Sequence, residues 1–332
     1  MTTVVDALRS DFDALTEQFG RGDILWRDQA GDDVLWLMNG NTPDTVATLP
    51  FVAPDWHFKA ATSFGSVPGD ADILWQNDNG AVAIWGMNGT TVTTIHALPN
   101  PGPTWHVVGD NDFDGDHSDD ILFRNDNGAL AIWNQISLDT GGVGGPGVGM
   151  FAGTQNPGPS WHVVATGDPG NFGHAGILWQ NDNGALALWG SADFSNNFPF
   201  VSTVTFLSID ALPSVDPSWH VKGMADFNRD GRSDIVFQHD SGAIVIWEMG
   251  RPFGTGIDAA NLININPGPS WHVVGLRNMD GDNRADILFQ NDNGSAALWE
   301  NYQSLGGGSA TFNTVLAIDP NPNPNGHVWD LL

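Results

Sequence analysis

The string ILWQNDNGAVAIW at 73–85 recurs, nearly letter for letter, at 121–133, 177–189 and 287–299. A chain that repeats one unit folds as an array, because each copy can cover its apolar face only with its neighbours. Aligning on this string finds six copies, with first aromatics at Trp26, Trp75, Phe123, Trp179, Phe237 and Phe289. A second aromatic, Trp36, Trp85, Trp133, Trp189, Trp247 or Trp299, follows ten residues later in every copy. The copies themselves lie 48 to 58 residues apart, so variation in length falls outside this segment. A fixed length is what a hairpin whose register cannot slip requires.

The turn of that hairpin is written Asn79-Gly80, Asn127-Gly128, Asn183-Gly184 and Asn293-Gly294, which suits a turn needing positive φ between β-rich runs. A further strand is marked by Trp-His at Trp56, Trp105, Trp161, Trp219 and Trp271, each after a Pro-containing loop such as NPGPS at 156–160. A fourth, less regular strand follows each hairpin, as at 91–98 and 203–209. Four short strands per unit of about 50 residues predict propeller blades rather than a sandwich. The first hairpin has no Trp-His strand before it, whereas the C-terminal GHVWDLL carries His327-Val328 with no hairpin after it. The expectation is therefore an all-β, six-bladed β-propeller of four-stranded blades, with the chain ends sharing one blade. Ring closure of this kind removes exposed sheet edges. Residues 20–332 form this single domain, preceded by a short amphipathic helix over 1–19 with Val4, Val5, Leu8, Phe12, Leu15 and Phe19 at helical spacing.

The 332 residues carry 39 acids against 11 Lys and Arg, a net charge of -28, which repels nucleic acid and anionic membranes. Cysteine is absent, which excludes disulfides and zinc–thiolate sites. No apolar run reaches the length of a membrane span, and MTTVVDALRSDFDALTEQFG lacks the pattern of a signal peptide.

Part of the acidity is concentrated in three loops, DFDGDHSDD at 112–120, DFNRDGRSD at 226–234 and NMDGDNRAD at 278–286. Alternating oxygens in a tight loop converge on one hard cation, and the last Asp can close the shell. The candidate ligands are Asp112, Asp114, Asp116 and Asp120; Asp226, Asn228, Asp230 and Asp234; and Asn278, Asp280, Asp282 and Asp286. Carboxylates packed this closely repel unless a cation lies among them. The matching segments of the other copies are broken, so three calcium sites are expected, not six. Loops of this type fill at extracellular calcium levels, which predicts an extracellular or cell-surface location.

The unit, clearest in VVGDNDFDGDHSDDILFRNDNG at 107–128, resembles the FG-GAP or VCBS-type repeat of integrin-like propellers and secreted bacterial proteins. The resemblance covers 20–332 and implies structural calcium at the three loops named above. It also extends to bacterial and fungal propeller lectins, some of which hold sugars between blades.

Strand alternation places the Trp-His starts and the hairpin turns on one face, opposite the acidic loops. That face offers Trp56, His57, Trp105, His106, Trp161, His162, Trp219, His220, Trp271 and His272, with Gln76, Arg124, Gln180, Gln238 and Gln290 at the ends of the second strands. Indole faces stack on sugar C–H surfaces, and imidazoles and amides bond hydroxyls. A second reading packs the same Trp between blades and uses the His to bridge strands. No carboxylate is read as repeating with the His as an orienting partner, which disfavours a ring of His that binds a transition metal. Asp78, Asp126, Asp182, Asp240 and Asp292 recur in the turns, whereas chemistry needs one privileged place, so repetition favours binding over catalysis. Only Glu248 and Glu300 break the symmetry, beside Trp247 and Trp299. The expected function is multivalent, calcium-stabilised carbohydrate binding on the Trp-His face, without enzymatic activity, with glycans or glycoconjugates as partners and a homo-oligomer left open. The alternatives are a protein-binding adhesion or scaffold module of a secreted bacterial protein and, ranked below it, a polysaccharide-processing enzyme.

Overall fold

A computed structural model describes residues 23–28, 30–39, 41–64, 71–137, 147–153, 155–197, 201–250, 256–318 and 329–331. The expected helix over 1–19 and the C-terminal His327 lie outside them. Among the described residues the chain is all-β, with 24 strands and no helix. In unit two, strands Trp56–Thr62, Asp72–Asn77, Val82–Asn88 and Thr91–Ala97 form an antiparallel meander. Units three to six repeat this order over 105–153, 161–212, 219–263 and 271–318. Unit one contributes Ile24–Asp28, Asp33–Asn39 and Thr42–Thr48, and its first strand is the C-terminal Trp329–Leu331, with Trp26 opposite Leu331. The end of the chain thus occupies the strand position missing before the first hairpin.

Burial follows strand order. Asp72–Asn77 is buried at all six positions, whereas Thr91–Ala97 is mostly exposed. The second strands read as unbroken apolar runs because both of their faces are covered. What covers them is the next unit. One apolar cluster joins Leu25 of unit one to Trp75 of unit two, the next joins Leu74 to Phe123, and others follow with Leu122 against Trp179, Leu178 against Phe237, and Val236 against Phe289. A sixth cluster packs Leu298 of unit six against Trp26 of unit one, which closes the series. The neighbouring first strands also pack side by side from unit two through unit six. This cyclic packing of meanders is a β-propeller arrangement.

Three features go beyond the expectation. The fourth strands of units three and four pair in parallel, with Ala152 opposite Thr203, and those of units five and six pair likewise, with Leu262 opposite Ser309. Each of these pairs of units is therefore one eight-stranded sheet. The long outer strands Val201–Leu212 and Ser309–Ile318 reach their neighbours and cover edges that would otherwise be open. Secondly, each first strand of units two to six carries a bulge, as between Phe58 and Ala60, which sharpens its twist. Thirdly, the hairpin turns put positive φ on the glycine alone: Gly80 has φ 90° and its N–H bonds the Asn77 carbonyl at 2.8 Å. That is a three-residue turn with a glycine bulge rather than a two-residue one.

Candidate functional site

In units two to six the turn folds back over the start of the first strand, with the Asp78 N–H donating to the Asp55 carbonyl at 2.9 Å in unit two and the same bond in units three to six. Within the turn, Asn77 Oδ1 accepts from Asn79 N–H and Asn79 Oδ1 from Ala81 N–H, so these amides are used locally. The clamp sets the turn carboxylate against the imidazole of the Trp-His pair. Nε2 lies 2.7 to 2.8 Å from Oδ1 in His57–Asp78, His106–Asp126, His162–Asp182, His220–Asp240 and His272–Asp292. This corrects the expectation that the His have no orienting carboxylate: each has one, about twenty residues along the chain. His and Asp are both about half exposed or more, with side-chain exposures of 45–56% and 63–70%.

The Trp of each pair packs between units, as the second reading from sequence has it, yet stays partly exposed. Trp56, Trp105, Trp161, Trp219 and Trp271 are half-buried, each with part of its surface against an inter-unit cluster. The second-strand polar residues turn to the next unit instead. Gln76 Nε2 donates to the Trp105 carbonyl at 2.8 Å and its Oε1 accepts from Val107 N–H at 2.9 Å; Gln238 does the same with Trp271 and Val273. Gln180 Nε2 donates to the Trp219 carbonyl, and Arg124 donates to the carbonyls of Trp161 and Gly158. Arg124 and Arg27 also lie over the Trp179 and Trp75 rings of the units that follow them. Sequence reasoning missed this stapling, since it depends on contacts between units.

On the opposite face, the acidic loops fold as successive Asx turns. Asp112 accepts from the N–H groups of Gly115, Asp116 and His117; Asp226 accepts from Arg229, Asp230 and Gly231. The broken loop of unit four keeps this turn, with Asp168 accepting from Phe172 and Gly173, so the conformation does not need the full set of acids. The loops are also sewn to each other: Ala175 N–H donates to the Asp112 carbonyl, Ser233 to Asp168 and Ala285 to Asp226.

The last Asp of each acidic loop is buried and bonds backbone. Asp120 Oδ2 accepts from Phe113 N–H and Asp286 Oδ2 from Met279 N–H, while Asp234 takes Phe227 N–H on one oxygen and Met249 N–H on the other. Asp72 makes the equivalent pair of bonds in unit two, to Phe64 and Met87, so this position has a structural duty wherever it occurs. In units three and six an oxygen is left over: Oδ1 of Asp120 and Oδ1 of Asp286 are buried without a hydrogen-bond partner among the described residues. Burial, then the neighbouring loop carboxylates, pushes Asp120 up to about 9 and Asp286 up to about 8. Asp234 is likewise driven well above the usual carboxylate range by burial.

Three carboxylates, from Asp112, Asp114 and Asp116, converge with their oxygens within 4.8 Å. In unit five Asp230 is instead paired with Arg232 at 3.2 Å. Two residues that the loop motif did not include stand beside the loops. Asn134 Nδ2 donates to Asp114 Oδ2 at 2.7 Å, and the buried Glu300 lies within electrostatic reach of Asp280 and Asp282. Their signal was the departure from Leu and Gly at the position after the second Trp.

No family model and no curated protein matches the chain. Among solved structures it is similar to a chain of the mitotic checkpoint complex, with TM-score 0.44 and 11% identity over 94% of this chain and 84% of that one. It is similar also to a chain of the BBS1N–ARL6DN complex, with TM-score 0.40 and 10% identity over 80% and 73%.

Proposed function

We propose that this chain is a six-bladed β-propeller of the FG-GAP/VCBS type that binds carbohydrate multivalently, without turnover, on the face bearing the Trp-His pairs. The observation that carries the reading is the recurrence, in five units, of one exposed set: a half-buried indole, an imidazole, and a turn carboxylate held by that imidazole. With Oδ1 of the Asp bonded to His, its other oxygen can accept sugar hydroxyls, and an indole face suits the C–H surface of a pyranose. Equivalent shallow sites on one rigid face gain by avidity, which is the advantage repetition offers a binder. The strand-end Gln and Arg serve here as staples that hold the sets in register.

Calcium at the acidic loops is the second part of the reading. Asp112, Asp114, Asp116 and Asp120 would hold it in unit three, Asp226, Asn228, Asp230 and Asp234 in unit five, and Asn278, Asp280, Asp282 and Asp286 in unit six. Support is best in units three and six, where a buried carboxylate oxygen has no other partner. A hard cation would offset the repulsion between these carboxylates and fix loops that are bonded from unit to unit. Such sites suit an extracellular or cell-surface protein.

The test is a glycan-array assay in calcium buffer, repeated after chelation and recalcification, with His162→Ala/Asp182→Asn as the site variant. Binding to a defined sugar set that weakens in the variant supports the lectin reading. A blank from folded protein removes it and favours a protein partner. That second reading has its own observation: Val46, Ile95, Ile209 and Val315, on the fourth strands of units one, two, four and six, are 51–62% exposed.

A further inference from the structure

We infer that the side chain following the second Trp, Asn134 in unit three and Glu300 in unit six, is a cation ligand that completes the acidic loop from the neighbouring strand. The inference rests on the reading of these loops as calcium sites, and it adds a ligand that the loop motif does not contain.

Three observations lead to it. The first is a correlation inside the repeat. The position after the second Trp is Leu37, Gly86 and Gly190 in the units whose loops are broken, and Asn134, Glu248 and Glu300 in the units whose loops are acidic. A polar side chain appears there only together with the loop.

The second is register. Ile121 lies opposite Trp133 and Ile287 opposite Trp299, so Asn134 and Glu300 sit across from the last loop residues, Asp120 and Asp286. Asn134 touches the loop directly through its bond to Asp114 Oδ2 at 2.7 Å.

The third is unsatisfied polarity. Asn134 is 2% exposed and Glu300 5%, and Oδ1 of the one and Oε1 of the other have no hydrogen-bond partner among the described residues. The same is true of Oδ1 of Asp120 and Asp286, so the loops of units three and six each have a pair of buried, unpaired oxygens from two adjacent strands. Leaving such oxygens bare costs free energy, and a hard cation with oxygen ligands is the partner that both would share. Unit five lacks this pair. Glu248 Oε1 is bonded by Tyr302 Oη at 2.7 Å and Asn261 Nδ2 at 2.9 Å, and both oxygens of Asp234 accept backbone N–H groups.

The experiment is calorimetric titration of the full chain with calcium chloride, together with thermal unfolding in calcium and in chelator, for wild type, Glu300→Gln and Asn134→Ala. Each variant is expected to weaken one calcium site roughly tenfold or more. Glu300→Gln should also melt no lower than wild type in chelator, because it removes a buried charge facing other carboxylates, yet gain less from calcium. A wild-type isotherm in both variants would overturn the inference and leave the calcium reading intact. An equal fall in melting temperature with and without calcium would also overturn it, by assigning Glu300 a packing role. Absence of any calcium binding by the wild type would remove the calcium reading and the inference together.

Discussion

Gln76 holds Val107 of the next unit by its backbone: Oε1 accepts the Val107 N–H at 2.9 Å, while Nε2 of the same amide donates to the Trp105 carbonyl at 2.8 Å. The side chain thereby completes hydrogen bonding for a first strand whose bulge displaces its own partner residues. Register between neighbouring units is set by directional bonds, in addition to non-directional apolar packing.

Replacing Gln76 by Leu keeps the volume and removes both bonds. Two backbone groups lose their partners at an inter-unit boundary, which predicts a loss of roughly 2–4 kcal/mol. Urea unfolding of Gln76→Leu against wild type measures it; a change under about 0.5 kcal/mol would mean that water takes over both bonds.

Gly242 and Gly268 separate conformation from crowding. Both have φ of 90°, but a Cβ on Gly242 would stand 2.2 Å from the Gly268 carbonyl oxygen, whereas nothing lies within 4 Å of one on Gly268. Gly268→Ala should cost about 1–2 kcal/mol for the left-handed backbone alone. Gly242→Ala should cost clearly more, because backbone of the next unit has to move. Equal effects in denaturant melts would show that the inter-unit gap yields freely.

Asp33 predicts a pH dependence. It is fully buried, neither carboxylate oxygen has a hydrogen-bond partner among the described residues, and Arg27 approaches only to 3.6 Å. Burial outweighs that ion pair and pushes Asp33 up to about 7. Because the folded state holds this proton more tightly than the unfolded chain, its contribution to stability is full below about pH 4 and is lost as pH rises to about 7. Asp33→Asn should therefore stabilise the protein at pH 7.5 by about 1–3 kcal/mol and have little effect near pH 4. A difference that does not change with pH would contradict the assignment.

The repeat was legible because the Phe or Trp to Trp spacing is constant, and constant spacing is the mark of a hairpin. The shared first unit was legible as well, from an unpaired hairpin at one end and an orphan strand at the other. The His–Asp pairs were in the sequence as a nearly constant offset between His106 and Asp126 and their equivalents, but neither residue predicts the turn clamp that brings them together. Gln76 read as a surface amide because its partners belong to another unit. The last Asp of each loop read only as a metal ligand, although Asp72, in a unit without the acidic spacing, already pointed to a second duty.

That second duty distinguishes Asp72 from Asp120 experimentally. At Asp72 both oxygens accept backbone N–H groups, from Phe64 and Met87 at 3.1 Å each, so an Asn there must turn its NH2 toward a donor. Asp72→Asn should cost about 1.5–3 kcal/mol, by the same amount with calcium as with chelator. At Asp120 only Oδ2 is engaged, by Phe113, while Oδ1 is buried without a partner among the described residues and the carboxylate feels the charges of Asp114, Asp112 and Asp116. An Asn can keep its oxygen on Phe113 and present its NH2 to the carboxylates, which relieves repulsion. Asp120→Asn should therefore leave the melting temperature in chelator unchanged or higher, while reducing the rise produced by calcium. If instead both variants lost the same stability in both buffers, Asp120 would be a backbone anchor like Asp72, and the cation shell of unit three would have to close without it.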